Sequence, residues 1–277
     1  MAWLMEVRTR RTVTALATAC LAVVGTGPGH AAGPAAVDAR YRVQSMGLDL
    51  GSAMLKVDSA PGGLAAQFRL QNDAMLGFVD ASDTQMTSLV AAARNQVSPV
   101  KFEGVYTRDD RVREIDVGYD AAGMIDSYRL VKRGDVRVSA VPPGLNTDAL
   151  DPLAAMLRVR AWLGQAPEGS DLALKVFDGR KRYDTTVRYL GLTQLTDDGG
   201  SMPAHRVTLS YQLVSAVNED TGKLEQEKGS KRREMELAVS TDGRYVPLRV
   251  NGSLDGLPIS AVLAGDCTGP AGCAAAE

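Results

Sequence analysis

The sequence is poor in the residues that do most metal and acid–base chemistry. It holds two histidines, three cysteines and two tryptophans in 277 residues. One histidine, His30, lies in an N-terminal stretch that reads as an export signal, which leaves His205. A zinc site needs about four ligands, so no metal site is expected. A serine triad needs histidine beside a carboxylate, and no Gly-x-Ser-x-Gly elbow or phosphate-cradling glycine loop occurs. No cofactor is implied. Charge of one sign is also missing, because 31 basic residues face 33 acidic ones. A nucleic-acid binder shows a basic excess on one face, so that partner is excluded. With four Phe and eight Tyr, there is little to build a base-stacking platform. No apolar run reaches the roughly 20 residues of a spanning helix.

What remains is ordinary for a globular chain, 45% hydrophobic and 23% charged, which excludes collagen, coiled coil and wholesale disorder. A chain this long buries roughly 70–75% of its unfolded surface and needs no metal or disulfide for a core.

The N-terminus has three parts. Residues 1–11 carry Arg8, Arg10 and Arg11, Thr12 to Val24 are uncharged, and Gly25, Gly27, Pro28 and Gly29 stop any helix. Gly29-His30-Ala31 then places small residues before a cut ahead of Ala32. This is the layout of a secretory signal over residues 1–31, and the alternative is a buried N-terminal helix. Thr9-Arg10-Arg11-Thr12-Val13 loosely resembles a twin-arginine signal. Leu16 to Cys20 loosely resembles a lipobox, with Ala17 where leucine is expected. The expectation is a soluble periplasmic protein, cleaved after Ala31, with a flexible segment at 32–39. Removing Arg8, Arg10, Arg11 and Glu6 takes the formal charge from −2 to −4. In an oxidising compartment, Cys267 and Cys273 are expected to bond within a C-terminal tail at 265–277; the alternative is two free thiols.

Between these ends the apolar residues recur with period two, the mark of half-buried strands. Tyr41–Met46, Leu48–Val57, Leu64–Leu70, Val100–Arg108, Val112–Tyr119 and Ile125–Val131 come first. Leu172–Phe177, Tyr183–Leu190, Arg206–Val217, Arg233–Ser240, Tyr245–Val250 and Leu257–Leu263 follow. Asp-Gly turns at 178–179 and 242–243 are strong hairpin signals. Two helices are predicted. Thr84–Arg94 is a short alanine-rich one. Asp151–Leu163 is the clearer, with Asp151 as N-cap, Pro152 at the first position and Gly164 as stop. Val141-Pro142-Pro143-Gly144-Leu145-Asn146 links two β-halves of one domain spanning 40–264; the alternative is two small domains. The fold class is therefore mainly β, an antiparallel sheet curled into a spiral or half-open barrel with one or two short helices.

Several spellings of chemistry weaken in context. Ser98-Pro99-Val100-Lys101 matches the Ser-x-x-Lys of penicillin-binding enzymes, but Pro99 and the strand-like residues after it deny it a helix. Asn218–Gly222 hints at a calcium loop, yet Lys223 stands where the EF-hand wants glycine, so a hairpin turn is expected. His205 reads as a strand-end residue. Lys228, Lys231, Arg232 and Arg233 are flanked by Glu225, Glu227, Glu234 and Glu236, as on a solvated hairpin end; the other reading is contact with anionic lipid. Phe177-Asp178-Gly179-Arg180-Lys181-Arg182-Tyr183-Asp184 carries more. Arg180 and Arg182 are expected on one strand face, either in cross-strand ion pairs or as a rim holding a ligand carboxylate or phosphate.

Asp151-Pro152-Leu153-Ala154-Ala155-Met156-Leu157, followed by Val176 to Asp184, resembles a bacterial periplasmic family, the domain of unknown function 3108. Tyr41 to Val57 is similar to its first hairpin and Pro247-Leu248-Arg249-Val250 to its closing strand, so the resemblance covers about residues 40–264. Met124 to Val138 departs from it by being more strand-like. The resemblance implies a partly open barrel similar to periplasmic lipoprotein carriers, and no catalytic residues.

Two functions are expected to compete, neither of them enzymatic. One is a binding module whose concave β-face takes a lipid, an acylated peptide or another hydrophobic component. Arg180 and Arg182 would meet the head group. Met156 with Met46, Met54, Met75 and Met86 would give adaptable packing. The other is a structural protein of the envelope with no ligand pocket. A carboxylate-only enzyme, such as a glycosidase, is the catalytic alternative.

Overall fold

The computed structural model describes residues 36–72, 81–93, 96–108, 111–197, 200–254 and 256–267. The signal, residues 32–35, Met75 and Cys273 lie outside them, whereas 37–39 of the segment expected to be flexible begin the first strand. The described residues form fifteen strands and one helix. The first eight strands are β1 (Val37–Ser45), β2 (Leu48–Ala60), β3 (Gly63–Asn72), β4 (Ser82–Ala93), β5 (Gln96–Arg108), β6 (Arg111–Tyr119), β7 (Ile125–Lys132) and β8 (Asp135–Val138). Helix α1 (Pro152–Leu163) follows, then β9 (Asp171–Phe177), β10 (Lys181–Asp197), β11 (Gly200–Val217) and β12 (Leu224–Gln226). β13 (Arg233–Ser240), β14 (Pro247–Leu254) and β15 (Leu257–Asp266) complete the set.

All the strands belong to one antiparallel sheet, ordered β8-β7-β6-β5-β4-β3-β2-β1-β15-β14-β13-β11-β10-β9, with β12 beside β11. It is two meanders sewn together where β1 pairs β15, from Ala39↔Asp266 to Gln44↔Ser260. The outermost strands β8 and β9 do not pair, so the sheet is not closed into a barrel. The expected mainly-β, curled antiparallel class is observed.

Period-two alternation decides which face is buried. In β1, Val37, Ala39, Tyr41 and Val43 are buried and the residues between them are not. Their partners Ala53, Leu55 and Val57 on β2 are buried on the same face. Beneath them lies α1, which packs on β3, β4, β5 and β9 and sinks Leu153, Ala154 and Leu157 into this cluster. Asp151 caps the helix as expected, its Oδ1 accepting from the Leu153 and Ala154 amides at 2.9 Å each. Gly164 is the C-cap, as expected; it keeps right-handed backbone, φ −59°, and its amide donates to the Trp162 carbonyl.

The predicted helix at Thr84–Arg94 does not form. Residues 82–93 are β4, paired with β3 from Asn72↔Ser82 to Gly63↔Ala91 and with β5 on the other side. Alanine favours helix only weakly, and tertiary pairing overrides such propensity. Here Ser88 and Val90 turn inward and Leu89 outward, a strand pattern that the alanines hid.

The free ends of the sheet approach without pairing. The β9–β10 turn presses against β5, β6 and β7, where Tyr106 Oη of β5 donates to the Asp178 carbonyl at 3.0 Å and Tyr128 Oη of β7 to the Gly179 carbonyl at 2.8 Å. Gly179 has φ +89°, and a methyl there would overlap the buried Ile115 side chain. Phe177 and Val217 from the second meander join Phe102, Ile115 and Val117 from the first in one buried cluster.

Candidate functional site

The β9–β10 turn is shaped by its own aspartate. Asp178 Oδ1 accepts from the Arg180 amide at 2.9 Å and the Lys181 amide at 2.6 Å. The Arg180 side chain leaves this turn toward the neighbouring end of β11. There its Nη1 lies 3.2 Å from Glu219 Oε1. Glu219 sits on the turn after β11. The same carboxylate takes Arg113 Nη2 of β6 at 2.6 Å and Lys132 Nζ of β7 at 2.6 Å. The Glu219 side chain is 10% exposed. Its burial alone would raise the carboxyl, but the Lys132 hydrogen bond, the Arg113 charge and the Arg180 hydrogen bond outweigh it and hold the group below the usual range.

Arg180 and Arg182 therefore do not share a rim. Arg180 belongs to the turn, outside β10, and is engaged by Glu219. Arg182 lies within β10, 3.9 Å from Asp184. The Asn218–Gly222 segment is a turn, as expected, with Asn218 Oδ1 accepting from the Asp220 and Thr221 amides at 2.9 and 3.0 Å. Sequence reasoning missed Glu219. An isolated turn glutamate carries no signal of three cations gathered from distant strands.

Met156 is half-buried on α1, packed against the first core cluster. Its expected companions divide. Met86 packs into the same core. Met54 alternates with the buried Ala53 and Leu55 and so faces away from it. Met46 stands 71% exposed at the β1–β2 turn. The inner face of the second meander is different in kind. Leu209 and Leu237 pack against the cluster built on Leu163, Val187 and Val207. Register places Tyr211, Met235 and Val250 on the same face. All five are half-buried, because α1 leans on the first meander and β9 and leaves this wall partly uncovered. Tyr183 links the wall to the turn, with its ring 5.9 Å from that of Tyr211 and its Oη 3.4 Å from Asp178 Oδ2.

Two other places complete the picture. A surface depression of about 520 Å³ lies beside β7, lined by Asp116, Asp126, Tyr128, Arg129 and Val141 among others; its lining mixes polar and apolar groups and is distinct from the apolar wall. His205 lies inside β11 rather than at its opening. Its Nδ1 is 2.9 Å from Tyr189 Oη, and burial lowers its pKa. The Cys267 amide donates to the Asp38 carbonyl at 2.7 Å, and the expected partner Cys273 lies outside the described residues. No helix among the described residues is long and apolar enough to cross a membrane.

A partly open antiparallel sheet with one helix against its inner face defines the class. The chain belongs to the family described as protein of unknown function DUF3108, which matches residues 40–256. A crystal structure of a β-barrel-like protein of domain of unknown function DUF1849 from Brucella abortus is similar in fold. It has a TM-score of 0.57 and 11% identity, over 83% of this chain and 96% of that one. No curated protein matches the chain.

Proposed function

We propose that this is an exported, non-catalytic protein of the periplasmic envelope that holds the apolar chain of a lipid or other hydrophobic envelope component against the inner wall of β11–β14. One observation carries the reading. Leu209, Tyr211, Met235, Leu237 and Val250 point inward yet stay half-exposed, whereas the equivalent face of β1 and β2 is fully buried. Ligand sites are mostly apolar concavities with a few polar anchors, and a partly wetted apolar wall opposite a helix has that character. The signal at 1–31 and the Cys267–Cys273 bond belong to the same proposal.

The test is native mass spectrometry of protein taken from its own envelope without detergent. A stoichiometric amphiphile is expected, and Met235→Glu should lose it while keeping a strand-type circular dichroism spectrum. An unliganded wild type that also fails to bind a fluorescent C12 fatty acid would overturn the reading. The scaffold alternative has its own support, since α1 fills the β3–β5 half with a closed core and leaves no room there.

A further inference from the structure

The cluster at Glu219 is unbalanced. Most ion pairs on this surface match one cation to one anion, as Arg188 does with Asp171 at 2.7 Å. Here three cations converge on one carboxylate. Arg113 and Lys132 stand directly opposite each other on β6 and β7, and like charges so placed repel. The arrangement therefore requires an anion between them. Glu219 offers two oxygens: Oε1 serves Arg113 and Arg180, and Oε2 serves Lys132. Donors remain unused, for Arg113 Nε is buried with no hydrogen-bond partner among the described residues. A group with more oxygens would use them, and guanidinium forks suit carboxylate and phosphate oxygens.

We propose that Arg113, Lys132 and Arg180 form a binding site for a carboxylate or phosphate group, which Glu219 fills as an internal stand-in that the ligand displaces. The turn makes displacement local. Its shape is held by Asn218 through the Asp220 and Thr221 amides, so the Glu219 side chain can leave without unravelling it. Tyr183 connects the β9–β10 turn, which carries Arg180, to the apolar wall. An amphiphile lying on the wall would thus place its anionic head here. Only that last step rests on the wall reading; the anion site stands on its own geometry.

The experiment is calorimetric titration of folded Glu219→Gln and wild-type protein with inorganic phosphate and with dodecyl phosphate at matched ionic strength. The variant is expected to bind inorganic phosphate at least tenfold more tightly than wild type, and adding Arg180→Gln should reverse the gain. Glu219→Asp, with a carboxylate one methylene shorter, should show a smaller gain in the same direction and serves if the glutamine variant does not fold. A parallel measurement needs no change at Glu219: phosphate should raise the wild-type melting temperature more than chloride does, and Arg180→Gln should abolish the difference. A folded variant with no gain in affinity, or a wild type that melts alike in the two salts, would reduce the cluster to a structural clasp. The two phosphates separate the source. Tighter binding of dodecyl phosphate, lost in Met235→Glu, identifies a lipid-type head group. Equal affinities identify a free anion, which upholds this site and counts against the wall.

Discussion

At the residue scale, Asp151 shows a capping group carrying a second consequence. It is fully buried, with Ser88 Oγ donating to its Oδ2 at 2.9 Å beside the two helix amides. Burial pushes its carboxyl up to about 6 against these hydrogen bonds. A folded pKa above the unfolded one means that folding favours the protonated form. Its contribution is therefore fully present below about pH 4 and is lost as pH rises towards 6. Asp151→Asn keeps an acceptor for the helix amides and cannot ionise. Its stability relative to wild type is expected to improve between pH 4 and pH 7, on the order of 2 kcal/mol, in urea unfolding at each pH. A difference that stays flat across that range would show that the carboxylate is not strained by its burial. Asp151→Ala should cost about 1 kcal/mol or more at every pH, since it removes the cap. Asp151 was legible in the sequence because N-capping is local chemistry. Its burial was not legible, because that depends on β4 supplying Ser88 from 63 residues away.

At the element scale, the β9–β10 turn shows local spelling and tertiary contact acting together. Asp178-Gly179 marks a turn from sequence alone. The structure adds that Gly179 is confined twice, by its left-handed backbone and by Ile115 against its α-carbon. Gly179→Ala is expected to destabilise by about 3 kcal/mol, combining left-handed strain with overpacking of the core. Ile115→Ala should relieve part of that, and a double-mutant cycle measured by chemical denaturation would show the coupling. Strictly additive effects would mean that the turn does not press on β6 as described. β4 teaches the opposite lesson. Its alanines resemble a helix in isolation, and only pairing with both neighbours along its length makes it a strand.

At the scale of the whole molecule, cohesion comes from three joints. β1 pairs β15, α1 spans two core clusters, and the Glu219 cluster ties β6 and β7 to the β9–β10 turn. Each joint crosses between the meanders, so guanidinium unfolding followed by circular dichroism and by Trp162 fluorescence should give one coincident transition. Two separated transitions would mean that the β-halves on either side of Val141–Asn146 fold independently. The sequence by itself determined the strand-rich class, twelve of the fifteen described strands, the Asp151-capped helix and the Asp178 turn. Those features rest on two-residue alternation and on capping within a few residues, and both are local. Tertiary structure alone decided that β1 would close on β15, that α1 would cover one half of the inner face and leave the other half partly exposed, and that Arg180 would meet Glu219 rather than line a strand face beside Arg182. These depend on contacts between segments far apart in the chain, where no periodicity carries a signal and the curl of the sheet selects which side chains meet.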